Sequence, residues 1–166
     1  METIMNKAGV TKEDRKVSIA ANELAAKTGE PAVAIEYEGK IITGKTSKLM
    51  GASAAALLNA IKVAGEVPDI HILSQKVLEP IQELKTKYLK GNNPRLHTDE
   101  VLIALAVDSV TSDYCAMALQ ALEKLKGCDV HSTVILSEVD VKTFKKLGMH
   151  LTQDPIYQTK KLYHAK

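Results

Sequence analysis

The chain has 166 residues, 45% hydrophobic and 25% charged, the proportions of an ordinary globular protein with enough length for one proper core. Its 22 basic residues against 20 acidic ones leave a formal charge of +2, too small a surplus to argue for nucleic acid, and aromatics at 4% offer no base-stacking platform. Two cysteines are too few for a disulfide framework or a zinc cage, no apolar run approaches the ~20 residues of a membrane span, and no signal peptide opens the chain, so a cytoplasmic protein with no membrane partner is expected.

Thr11-Lys12-Glu13-Asp14 carries a helix-start signal, and Val17, Ile19, Ala20, Leu24 and Ala25 give the helix an apolar face that Gly29 and Pro31 close. Residues 31–37 read as a strand and Glu38-Gly39 as a short turn. The run Gly39-Lys40-Ile41-Ile42-Thr43-Gly44-Lys45-Thr46 fits the phosphate-loop pattern G-x-x-x-x-G-K-[ST] at every position. A working loop curls its N–H groups round phosphate, which calls for small, permissive residues between the glycines. Ile41 and Ile42 are β-branched and suit a strand, so a β-hairpin is the simpler expectation.

A helix dense in small residues is expected from Gly51 to Ala64, then a short buried strand from Asp69 to Leu73 containing His71. Ser74 is a candidate cap, and Pro80 suits the first turn of a helix ending near Tyr88. Gly91-Asn92-Asn93-Pro94 is a loop, after which Thr98-Asp99-Glu100 caps an apolar helix from Val101 to Val110. A second helix runs from Asp113 to Lys126, with Cys115 as a small core residue and Cys128 just past its end. A strand over Ser132–Leu136, a helix over Val139–Leu147 and a last strand over Met149–Thr152 complete a single domain of residues 1–156; 157–166 is a basic, loosely held tail.

This order predicts an α/β protein of three layers: a mixed sheet of about five strands with an N-terminal hairpin, and helices on both faces. The order resembles the cytidine-deaminase-like topology. That fold's zinc ligands are absent from the matching helix starts, Gly51-Ala52-Ser53 and Ser74-Gln75-Lys76-Val77. No pair of histidines has helical metal-ligand spacing, so neither metal nor cofactor is expected.

Three polar constellations are candidates. Thr43, Lys45, Thr46, Ser47 and Ser53 surround a helix start and could bind an anion, or Ser and Thr could simply cap the helix while Lys45 is solvated. In Asn92–Glu100, Arg95 offers a planar fork for carboxylate or phosphate, His97 titrates near neutrality, and Asp99 and Glu100 could orient either. The structural alternative makes Thr98 the N-cap and ties Arg95 to an acidic neighbour. His131, Ser132 and Ser137 flank a strand without the acid or the strained turn of a Ser–His catalyst.

Five runs carry a family resemblance: Ile4–Gly9, Thr43–Ser47, Gly51–Ala60, Asn93–Ala104 and His131–Ser137. They resemble the C-terminal domain of a bacterial family known as a domain of unknown function, of the UPF-0371 type. Members of that family are much longer, with a Rossmann-like N-terminal portion that nothing here matches. The resemblance therefore implies a C-terminal domain whose partner is that N-terminal portion, and an isolated domain that is inactive. It lends no reaction. Two functions remain as alternatives: an accessory or assembly domain of a larger nucleotide-dependent protein, or a contributor of Arg95, His97, Asp99 and Lys45 to a site for an anionic substrate. Surface meant for the N-terminal portion should then appear as an exposed apolar patch or pair two copies in a homodimer.

Overall fold

The computed structural model describes residues 16–70 and 72–156. The expected cap at residues 11–14, the family-like run at 4–9, His71 and the tail at 157–166 lie outside the described residues. Among the described residues are four strands and six α-helices in one mixed sheet with its covering layers.

The hairpin forms as its residues suggest. Strand β1 (Ala32–Tyr37) pairs antiparallel with β2 (Lys40–Lys45), placing Ile35 opposite Ile42. Glu38 and Gly39 both take positive φ, 48° and 80°, as a tight two-residue hairpin turn requires. Strand β3 (Asp129–Ser132) pairs antiparallel with the other side of β1, and β4 (His150–Gln153) runs parallel to β3, giving the order β2-β1-β3-β4.

Both faces of β1 are buried. Ala34 packs with Val17 and Ala21 of α1 (Lys16–Thr28), while Val33 and Ile35 face the main core beneath α2 (Ala52–Ala64). The alanines of α2 let it lie against the sheet at very short range: a Cβ built on Gly44 would stand 2.1 Å from the Ala56 nitrogen. Beyond α2 the core is closed by α3 (Gln75–Glu83), α4 (Thr98–Asp108), α5 (Asp113–Gln120) and α6 (Glu138–Lys146), with Leu57, Ile61, Leu105, Leu125 and Phe144 fully buried. No helix among the described residues is long and apolar enough to cross a membrane.

Three expectations are corrected. Asp69–Leu73 forms no strand among its described residues: Lys62 Nζ donates to the Ile70 carbonyl at 2.9 Å and the Cys115 thiol reaches the Ile72 carbonyl at 3.2 Å, so side chains take the groups a neighbouring strand would have taken. The strand expected over Ser132–Leu136 ends at Ser132, whose hydroxyl bonds back to the Val134 carbonyl (2.7 Å) and accepts from the Val134 N–H (3.2 Å), turning the chain out of the sheet. Pro80 lies inside α3 rather than at its start, and the helix continues through a wider π-turn over Leu84–Tyr88.

Candidate functional site

The glycine-lysine-threonine motif is not a phosphate cradle. Residues 40–45 are extended and paired with β1 throughout, with Lys45 exposed at the end of the strand. Gly44 is required by the approach of α2. Ser47 Oγ accepts from the N–H groups of Leu49 (3.2 Å) and Met50 (3.3 Å), a small turn that leads the chain toward α2. The N-cap of α2 is Gly51, without a side-chain cap, so the expected Ser or Thr cap is absent; Ser53 is buried in the first turn and Thr46 is half-buried.

The second cluster meets the first. Leu96 forms a parallel bridge with Met50: its N–H donates to the Leu49 carbonyl at 2.9 Å, and its own carbonyl accepts from Gly51 at 3.1 Å. Arg95 Nε donates to the Ser47 carbonyl at 2.6 Å, not to the acidic neighbour expected of it. Lys85 Nζ, from the π-turn, donates to the Arg95 carbonyl and to Glu100 Oε1, the latter at 2.8 Å. The same Glu100 oxygen accepts from the His97 N–H at 2.7 Å. His97, not Thr98, is therefore the N-cap residue of α4. Asp99 stays exposed and, among the described residues, accepts from the Glu100 N–H next to it at 2.8 Å.

Thr98 is held from another helix. Asp140 Oδ1, in the first turn of α6, accepts from the Thr98 N–H (3.0 Å) and hydroxyl (2.7 Å), and Asp140 Oδ2 lies 3.8 Å from His97 Nδ1. The Asp140 carboxylate beside His97 raises the imidazole's pKa above its ordinary value, against the opposing effect of burial. Burial alone would push Asp140 up, but its bonds from His97 and Thr98 outweigh that and leave it below the usual carboxylate range. The same device recurs at α3: Asp108 of α4 accepts from the Ser74 N–H (2.8 Å) and hydroxyl (2.9 Å). Sequence reading missed Asp140, Lys85 and Asp108, and no local signal marks them, because each reaches a helix end distant in the chain.

An open cleft of about 390 Å³ lies beside β2. Lys45, Ser47, Asn59 and Lys62 line it among Leu24 and Leu58, while Arg95, His97 and Asp99 do not. The loops of the two candidate clusters thus touch without sharing one pocket. Asn59 Nδ2 donates to the Thr43 carbonyl at 3.0 Å, and Lys62 is bound to the Ile70 carbonyl and to Asp69 (3.3 Å).

The third constellation separates. His131 is fully buried, 2.7 Å from Thr152 Oγ1 through Nδ1 and 3.2 Å from Asp154 Oδ1 through Nε2. Ser132 bonds its own turn and Ser137 caps α6, accepting from the Asp140 N–H at 3.4 Å. Burial pushes both thiols, Cys115 and Cys128, above their ordinary pKa, so neither is an activated nucleophile. No group of three His, Cys, Asp or Glu side chains among the described residues could hold a metal. Melting with and without a chelator is expected to give the same midpoint; a fall of many degrees would reveal a structural ion.

Residues 13–163 match a family model described as the domain of unknown function DUF1846, C-terminal. A UPF0371 protein of Corynebacterium urealyticum is 53% identical over 98% of this chain, and so is one of Corynebacterium efficiens. A UPF0371 protein of Streptococcus pyogenes serotype M5 is 46% identical over the same share. In each case the chain covers 33% of the relative's own length.

Proposed function

The chain belongs to the family of the C-terminal DUF1846 domain, and from that premise we propose that it is a non-catalytic accessory domain that completes or assembles a longer, nucleotide-dependent protein. On this reading residues 1–156 are one domain of cytidine-deaminase-like layering, followed by a basic tail, and the partner is an N-terminal portion of the kind the relatives' greater length provides. The observation that carries it is the engagement of the charged groups of the candidate loop with the fold itself. Arg95 binds a carbonyl, Lys85 and Glu100 bind each other, and Asp140 binds the start of α4 beside His97. Such groups stiffen a domain but leave few free for a substrate.

One contact favours a second reading. The Arg95–Ser47 bond brings the loop of Arg95, His97 and Asp99 beside Lys45, Thr46 and Ser47, with Ser53 in the adjoining helix turn, where an anionic substrate completed by another domain could be held. Comparing the full-length protein with this 166-residue chain for ATP binding and turnover separates the two. The accessory reading expects binding by the full-length protein, none by this chain, and an unchanged KM in full-length Arg95→Ala. Turnover by this chain alone, or an Arg95→Ala KM raised tenfold, would overturn it.

A further inference from the structure

Helix α4 buries Val101, Ala104 and Leu105 in the core, and on its opposite side Ile103, Ala106 and Val107 face solvent, with Asp99 one turn before Ile103 at the helix start. Ile103 is 59% exposed and Val107, one turn on, 53%; Val110, at the exit from α4, is 83% exposed. Tyr114 and Met117, one turn apart on α5, are exposed as well. Among the described residues, five of the twelve exposed large apolar side chains fall on this helix pair and the turn that joins it, so they are clustered along the chain, not scattered. A helix turned to water carries polar residues on that side. This pair does not. No Lys or Arg occurs between Arg95 and Lys124, and the exposed charges at its margins are Asp99 and Asp113.

We infer that the outer face of α4 and α5 is the docking surface for the rest of the longer chain, through an apolar patch with a basic rim on that portion. The inference rests on the accessory-domain reading and gives it a location. Two observations select this occupant over a second copy of the same domain. The relatives extend far beyond the matched 33%, so a tethered partner is present at high effective concentration. A two-fold pairing of two such faces would bring acidic margins together with no cation between them, which opposes association.

The test is site-specific photo-cross-linking in the full-length protein, with a benzophenone side chain at Val107 or Val110 and, as control, at the exposed Lys142 on α6. Peptides joined from 107 and 110 to residues outside these 166, with none from 142, are the expected result. The double variant Val107→Asp, Val110→Asp should abolish protection of the partner surface from hydrogen exchange. Cross-links from 107 or 110 to the same face of another copy would replace the proposed occupant with a dimer. Cross-links to the rest of the chain from 142 alone would overturn this surface while leaving the accessory reading standing. No cross-link to the rest of the chain from any of the three would overturn both.

Discussion

Gly44→Ala is expected to destabilise the domain by about 3 kcal/mol or more, a fall in Tm of roughly 6–12 °C for a chain of this size. A single methyl group would stand 2.1 Å from the Ala56 nitrogen, 2.6 Å from its Cα and 2.8 Å from the Ala52 carbonyl oxygen, and all three are backbone atoms that no rotamer change can move. Helix α2 would have to back away from β2, opening gaps around Leu57 and Ile61, which are now fully buried. Lys45→Ala, one residue on and exposed, should stay within ~0.5 kcal/mol of the wild type. A thermal or denaturant melt of both variants checks the pair. Were Gly44 retained for a ligand rather than for packing, its substitution would leave the unliganded melt unchanged.

Asp140→Ala should cost about 3 kcal/mol, because it strands the buried Thr98 N–H and hydroxyl and removes the charge beside His97. Asp140→Asn keeps an acceptor for Thr98 and removes only the charge, which makes it the probe of pH dependence. His97 has a raised pKa, so its contribution is fully present below its unfolded value of about 6.5 and is lost as pH rises through the folded value. Asp140 has a lowered one, so its contribution is present above an unfolded value of about 4 and is lost as pH falls through the folded value. Both act together between about pH 4 and 6.5. The stability difference between wild type and Asp140→Asn should peak in that window and shrink on either side. A difference that is flat from about pH 3 to 9 would mean that the pair carries no charge coupling.

Much of the fold was legible because it is local. Ile41 and Ile42 between the glycines, with Glu38-Gly39 before them, were enough to favour a hairpin over a phosphate loop, since strand propensity and turn chemistry agree there. Gly29, Gly127 and Gly148 mark helix ends in the same local way, each with positive φ. What failed was whatever depends on a distant partner. The Asp69–Leu73 run has strand-like residues, but Lys62 and Cys115 hold its backbone and Ile70 stays exposed. Ser132 has neighbours apolar enough to continue a strand, yet its hydroxyl closes a turn on Val134. The candidate loop was recognisable from its density of charge and polar groups, whereas its partners were not. Asp140 and Lys85 belong to other elements, and nothing near either marks it as belonging with Thr98 or Glu100. The apolar face of α4 reads in sequence as core, because periodicity cannot say which side of an all-round apolar helix remains uncovered.

Arg95, Ser47 and Thr98 are engaged by the fold while Lys45 stands exposed, and on the accessory reading none of them serves a ligand of this domain. Calorimetric titration of ATP and of inorganic phosphate into the 166-residue chain, repeated with Lys45→Ala, tests that most directly. No saturable binding below millimolar concentration, with wild type and variant alike, is the predicted result. A micromolar Kd that Lys45→Ala abolishes would contradict it.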